Sequence, residues 1–423
     1  MTNCRHIRFS LLVVISLLSP LVFAQNLVQG DVINHVDPVE LDHTLSLTQL
    51  VEQTIEKYPD RLINEALQNQ ADAWQTRGDG WFAGSQALAV DYNSDKVAND
   101  RGSREISGQL EFTVWNWGQR SAAQDIAERS QQFAAKQSAA VRIEVAGLVR
   151  SALWDMALAE SRVEIARYNL EISSQLLDKV KRRVDLGDLA RADLLLAESE
   201  HLHNQSLMNQ AVAELMHSRK NYSTLTQSNH VPSNYKENLS AISKIESSHP
   251  LLDALNTLLE RKQANVEWAK TTDTINQPKL HFGGRTTRDD RAMDDIQSAS
   301  VGVVIPFGHS GYDAPEIAAS YFELNQTKAA REHLMRDLEK KLHEAEHMLD
   351  VTRQELAIAV RMKEIAETHL NMTQISFASG EINLLDLLKI QARSLEAIRN
   401  AKEQEVKLQR YIALYNQAVG VMP

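Results

Sequence analysis

The sequence predicts a mainly α-helical fold with a small β part, laid out as two similar halves. Three observations carry that prediction. Two stretches of roughly 65–70 residues run without proline past their first turn, long enough for helices of about 100 Å at 1.5 Å per residue. Four segments of about ten residues alternate apolar and polar side chains, the period of a strand exposed to different media on its two faces. A glycine turn closes each long stretch in a similar way, about 190 residues apart, which marks an internal repeat. The rest of the composition agrees. Glycine and proline are scarce, at 16 and 9 of 423 residues, so turns are few. A formal net charge of -11 argues against a nucleic-acid partner, whose footprint is a basic face. The single cysteine excludes a disulfide scaffold and any site built from several thiolates.

Residues 1–24 read as a secretory signal. Arg5 and Arg8 precede an apolar run from Phe9 to Leu18, Ser19-Pro20 breaks it, and small residues flank a cut before Gln25. Cys4 lies ahead of the apolar run, where no lipid anchor is attached, so the exported chain is expected to be thiol-free and unlipidated. No later segment has 18 consecutive apolar residues, which excludes a transmembrane helix but not a membrane-spanning strand. Residues 25–44 form an N-terminal linker.

The first repeat is expected over 45–227. A short amphipathic helix opens at Pro59-Asp60-Arg61-Leu62. Strands follow at about 80–93 and 105–116, the second placing Ile106, Gly108, Leu110, Phe112 and Val114 on one face. A long helix, 118–186, carries the stripe Val141, Val145, Leu148, Ala152, Met156, Val163, Leu170, Leu177 and Val184, with Gly147 as its one internal glycine. Spacings of three and four favour coiled-coil packing. Gly187 ends it as a left-handed cap, and a returning helix spans 190–225. Residues 228–248 form a linker. The second repeat, 249–423, opens its short helix at Pro250-Leu251-Leu252. Strands are expected at about 279–288 and 296–307, then a long helix 313–379 with Pro315 in its first turn, where proline is tolerated. Gly380 ends it, and the last helix covers 384–418. With the two glycines in register, Asp188 meets Glu381, Leu189 meets Ile382 and Asp193 meets Asp386.

Strands of this length and alternation are those of outer-membrane barrels. Four strands cannot close a barrel, and an open edge is forbidden in lipid, so several chains would have to share one. The polar loops from Ser94 to Arg104 and from Arg288 to Asp295 would cap the hairpins outside.

In order and spacing the whole pattern resembles the TolC family of outer-membrane efflux proteins, over about Leu45 to Val421. The sharpest marks are Trp115-Asn116-Trp117-Gly118-Gln119-Arg120 leaving the second strand and Ile305-Pro306-Phe307-Gly308 leaving the fourth. Arg183 to Gly187 with Asp193-Leu194-Leu195, and Gly380 with Asp386-Leu387-Leu388, add to them. The resemblance implies a homotrimer whose twelve strands form one β-barrel and whose twelve helices form a periplasmic α-helical barrel. It implies an exit duct, not an enzyme, without a cofactor, working with a periplasmic adaptor and an inner-membrane pump. The adaptor-docking tip would comprise Arg183, Gly187, Asp188, Leu189, Phe377, Gly380, Glu381 and Ile382. Leu189 and Ile382 would give it apolar contact, and Arg183 with Asp193 would fix the turn. Asp193, Asp386 and Lys389 would line the tunnel entrance. Asp386 aligns with a ring carboxylate of relatives, and Lys389 stands where relatives can carry a second acid. A first-turn acid favoured by the helix dipole explains Asp193 and Asp386 equally well. The branch serving resistance-nodulation-division pumps, exporting metal cations or drugs, is the expected one; type I protein secretion is the alternative.

Two other functions are testable on the same residues. His343-Glu344-Ala345-Glu346-His347 matches the zincin motif, with Glu344 as a possible general base. It falls midway along a long helix that offers no cleft, and Arg353 occupies the place of a third histidine, so a solvated helix face is the expected reading. His201 and His203 point different ways, and His281 and His309 lack paired ligands. A soluble coiled-coil spacer would need strands that never meet lipid.

Overall fold

The computed structural model describes residues 38–272, 277–307 and 311–423. The signal segment, most of the 25–44 linker, and Gly308 with His309 lie outside the described residues.

The chain begins with strand β1 (Glu40–Asp42), which pairs in parallel with β4 (His230–Pro232). Both fall in segments expected to be linkers. Three residues with no alternation leave no periodic signal, so only the pairing reveals them. Helix α1 (Leu47–Lys57) follows, opened by a capping box: Ser46 Oγ accepts from Gln49 N–H at 3.1 Å and Gln49 Oε1 accepts from Ser46 N–H at 2.9 Å. Leu47, Leu50, Val51 and Thr54 form its buried face.

From α2 (Arg61–Asp79) the chain runs through β2 (Ala87–Ser94), β3 (Arg104–Thr113), α3 (Gln119–Asp185) and α4 (Arg191–Thr226). After β4 it takes the same order again: α5 (Pro250–Thr271), β5 (Lys279–Arg288), β6 (Ile296–Val304), α6 (Ala314–Ala378) and α7 (Leu384–Ala418). The strand expected from 80 starts only at Ala87. Gly80 caps α2 in extended conformation, and Trp81 to Gln86 bend before joining the ladder, with Ala83 N–H donating to the Thr113 carbonyl at 2.9 Å. The strand expected to reach 307 stops at Val304, just before Pro306, which has no N–H to donate.

Trp115 to Arg120 make the corner between sheet and helix. Trp115 Nε1 donates to the Gly80 carbonyl at 3.1 Å, and Asn116 N–H donates to Gln119 Oε1 at 3.0 Å. Arg120 donates to the carbonyls of Gly78 and Asp79 at 3.1 and 3.2 Å, closing the C-terminal end of α2.

The four longer strands form one antiparallel sheet in the order β2-β3-β5-β6. Its register sorts the side chains by face. The rows Leu88–Leu110–Phe282–Val301, Val90–Gly108–Gly284–Ala299 and Phe112–Leu280–Val303 lie on one face. The opposite face carries rows such as Ala87–Glu111–His281–Gly302 and Asp91–Ser107–Arg285–Ser298. Ion pairs cross that polar face, Lys279 to Glu111 at 2.8 Å and Arg285 to Glu105 at 3.8 Å. Among the described residues Phe82 stacks on Phe112 at the helix end of the apolar face, and the rest of it is open: Leu88, Val90, Tyr92, Val301 and Val303 are all more than half exposed.

The four long helices form one layer in the order α4-α3-α7-α6. On α6 the buried residues Leu338, Leu342, Ala345, Leu349 and Thr352 alternate spacings of four and three, the coiled-coil seam. Helices α2 and α5 pack on α3, and the edge-on rings of Trp74 and Trp268, 5.2 Å apart, join them. Where the 228–248 segment crosses the layer, Arg150 is 1 % exposed and bidentate to Glu237 at 2.8 and 2.6 Å. It also donates to Gln417 Oε1 at 2.6 Å and to the Val421 carbonyl at 2.9 Å. Gln417 in turn donates to the Ile143 carbonyl at 2.7 Å, and a Cβ on Gly147 would come within 2.8 Å of its amide. The glycine inside the long helix is there for that close approach.

Candidate functional site

The two glycine turns lie together at one end of the helix layer. Each long helix closes in a Schellman motif. At the first, Asp188 N–H donates to the Arg183 carbonyl at 2.8 Å and Gly187 N–H to Val184 at 3.0 Å. At the second, Glu381 N–H donates to Ser376 at 2.9 Å and Gly380 N–H to Phe377 at 3.2 Å. Gly187 and Gly380 have φ of +80° and +78°, and a Cβ at either would meet no atom within 4 Å. The demand for glycine is purely one of backbone conformation.

One apolar cluster holds the turns together. Leu176, Val180, Ala197, Phe377, Leu384 and Leu387 are buried, with Leu189 and Ile382 packed against them. Leu189 and Ile382 are half-buried against it. The more open apolar residues beside the turns include Leu186, 81 % exposed, and Leu385, 50 % exposed. Sequence reasoning passed over both because the repeat register drew attention to the residues after each glycine, while Leu186 precedes one and Leu385 lies within α7. Phe377, expected on the docking surface, is buried beneath Arg183, whose guanidinium lies 5.1 Å from the ring centroid and donates to the Phe377 carbonyl at 3.1 Å.

Arg183 does not pair with Asp193. Its carboxylate partner is Asp188 at 3.7 Å, while Asp193, the third residue of α4, turns back to accept from Ala190 N–H at 3.2 Å. Asn383 caps α7 by accepting from Asp386 N–H at 2.8 Å, which leaves the Asp386 carboxylate exposed, 3.9 Å from Lys389 Nζ. Asp193 and Asp386 match in register but differ in use. Glu381 is exposed.

Beside the turns, α3 and α6 stand apart over α7 and leave a cleft of about 320 Å³. Lys179, Arg182 and Arg183 line one wall, Gln374 and Phe377 the other, and no carboxylate borders it. The same two helices leave a second widening of about 720 Å³ nearer the sheet, bordered by Glu144, Leu148, Lys341, Met348 and Tyr411. Burial, reinforced by Asp60, holds the Glu144 carboxyl above the usual range.

The zincin-like motif lies within α6 without a break. His343 and His347 face solvent one turn apart, and Glu344, 3.7 Å from Lys340, borders the 720 Å³ widening, so contrary to the expectation the helix does meet a cleft here, though neither histidine lines it. His201 Nδ1 sits 3.3 Å from Ser173 Oγ, and His281 lies on the polar face of the sheet. Among the described residues no group of three or more potential ligands is placed to hold a metal ion.

Comparison with known proteins agrees with this architecture. Residues 83–228 match the family described as outer membrane efflux protein. The cobalt-zinc-cadmium resistance protein CzcC of Cupriavidus metallidurans is 25 % identical over 316 residues, which span 70 % of this chain and 72 % of that protein. Among solved structures, CusC superposes with a TM-score of 0.71 at 14 % identity over 89 % of this chain and 92 % of its own. VceC of Vibrio cholerae gives a TM-score of 0.70 at 13 % identity over 89 % of this chain and 96 % of its own.

Proposed function

We propose, from the premise that the chain is a TolC-type outer-membrane efflux protein in family and fold, that it is the passive exit duct of a tripartite pump for divalent metal cations. The observation that carries this reading is that sheet and helix layer each end in two unpartnered edges. Strands β2 and β6 have one neighbour each. Helices α4 and α6 are the outer helices of the layer and bear exposed apolar residues at seven-residue intervals: Leu195 and Leu202 on one, Val351, Ile358, Ile365 and Met372 on the other. A seven-residue stripe calls for a partner helix, and a strand edge in lipid calls for a partner strand. Three copies joined edge to edge, β6 to β2 and α6 to α4, satisfy both at once. They make a 12-strand barrel in the outer membrane that continues into a 12-helix tunnel in the periplasm.

The tip is then the end that meets the pump. Its cleft offers Lys179 and Arg182, with Arg183 already paired to Asp188, and is lined by no carboxylate, so the adaptor hairpin that fits it carries carboxylates, with apolar residues for Leu186 and Leu385. Asp386 and Lys389 stand at the entrance as a neutralised pair. Cargo is selected by the pump, and the metal assignment rests on the likeness to CzcC. Deleting the chain from its host should sensitise cells to cobalt, zinc and cadmium salts, and a plasmid copy should restore resistance. Unchanged metal sensitivity alongside loss of drug resistance or of a secreted protein would assign the duct to a different pump.

A further inference from the structure

The widening of about 720 Å³ between α3 and α6 plays no part in the proposed duct or its tip. It arises where two helices meet end to end. Both α5 and α7 lie between α3 and α6. Just past the end of α7, a Cβ on Gly420 would come within 2.9 Å of the Cδ of Pro250, the first residue of α5. Two abutting ends do not fill a groove as one continuous helix would, and several residues beside the gap are small: Gly147 and Ser151 on α3, Ala345 on α6 and Ala418 on α7. Glu144, Leu148 and Ser151 share one stripe of α3 through their spacings of four and three. No residue of the 228–248 segment borders the cavity.

Its walls are mostly apolar. Leu148, Leu251, Leu338, Met348 and Leu414 supply aliphatic surface, and Tyr58 and Tyr411 add aromatic rings. Leu148 and Met348 are 42 % and 40 % exposed, so a ligand that covers them removes apolar surface from water. Pockets of about 300–1,000 Å³ with such walls and few polar groups are those that hold small organic molecules.

Charge decides which kind. Besides the tyrosines, the ionisable side chains on the walls are Glu144, Lys341 and Glu344. Lys341 Nζ is held by Asp337 at 2.7 Å, and Glu344 lies 3.7 Å from Lys340. Glu144 has no such partner among the described residues. Burial and the neighbouring Asp60 carboxylate hold its carboxyl above the usual range, against the weaker pull of Lys341. The cavity therefore sets one uncompensated carboxylate in an apolar wall, and a ligand with a positive charge complements it. Tyrosine rings favour a cation as well. A bare metal ion does not fit the donor set, since among the described residues no group of three or more ligands is placed to hold one.

We propose that this cavity binds a hydrophobic organic cation, its charge against Glu144 and its apolar body across Leu148, Leu338, Met348 and Leu414. Every lining residue belongs to one chain, so the site goes beyond the duct reading and does not depend on it.

The test is equilibrium dialysis of the protein, reconstituted in phosphatidylcholine nanodiscs, against tetraphenylphosphonium, with binding to empty nanodiscs subtracted. Tetraphenylborate, of the same shape and opposite charge, is run alongside. The expected result is saturable binding of one tetraphenylphosphonium per chain and no saturable binding of tetraphenylborate. Glu144→Gln, which keeps the shape of the side chain, should weaken tetraphenylphosphonium binding about tenfold, the worth of one charge-assisted contact. Ser151→Trp, which fills the cavity, should abolish it, and Met348→Trp takes its place should that variant not assemble. Binding no greater than to empty nanodiscs would overturn the site. Saturable binding that Glu144→Gln leaves unchanged, or that tetraphenylborate matches, would overturn the cation assignment. Metal resistance in cells, which tests the duct, is a separate readout, so either reading can fail alone.

Discussion

Arg150 is the residue on which the junction of helix layer and connecting segment turns. It is buried with Glu237, and its remaining donors reach Gln417 and the Val421 carbonyl. Removing one partner of such a pair leaves an uncompensated charge, at a cost of about 3–5 kcal/mol. Arg150→Met should therefore lower the thermal midpoint of the assembled protein sharply, and Arg150→Met with Glu237→Leu should recover most of the loss. A double variant no more stable than the single would contradict the pairing. His249 offers a second measurement. It caps α5, with Nδ1 accepting from Leu251 N–H at 3.3 Å, and burial holds its pKa below the ordinary value of 6.5. The unfolded chain takes up a proton near that value and the folded chain only lower, so the unfolded state binds more protons in between and stability rises with pH there. As pH falls below about 6.5, the wild type should lose thermal stability faster than His249→Asn, which can cap but cannot titrate. Parallel melting curves from pH 7.5 to 5 would show that His249 carries no such linkage.

At the scale of elements, the two glycine turns are where sequence and structure can be set side by side. The long helices, their left-handed caps and the four strands were legible because each rests on local chemistry: a 3.5-residue stripe, a residue without Cβ, a period of two. The packing of the tip was not. Whether Leu189 or Leu186 points outward depends on how α3, α6 and α7 meet, and a matched register between halves says nothing about that. The pairing of Arg183 failed for a related reason. Asp193 has a nearer demand on it from the bare N–H groups opening α4. Likewise β1 and β4, three residues each, exist only through their mutual pairing. If the turns dock an adaptor, Gly187→Pro and Gly380→Pro should abolish efflux yet leave trimer yield intact, since the strands lie about 100 Å away. Loss of trimer in proportion to loss of efflux would make the turns merely structural. Lys179→Glu with Arg182→Glu, which reverses the charge of the cleft without touching a turn, should weaken adaptor capture in a pull-down. Unchanged capture would move the docking surface elsewhere.

At the scale of the whole molecule, the proposed assembly makes one chain a third of a barrel and a third of a tunnel. Among the described residues the longest unpartnered surfaces are the outer strands, the outer helices and the apolar face of the sheet, so the account stands or falls on assembly. Arginine at a lipid-facing site near mid-bilayer costs about 2–4 kcal/mol, so Leu110→Arg or Val301→Arg should reduce assembled protein far more than Gln109→Arg or Ser300→Arg. Comparable yields from all four would argue against a membrane barrel. The most direct measurement is native mass spectrometry of the protein released from detergent micelles, paired with its circular dichroism in the same detergent. The account predicts a mass of three chains, falling to one chain on heating together with loss of the strand signal. A folded single chain that keeps its full strand signal in detergent would contradict it.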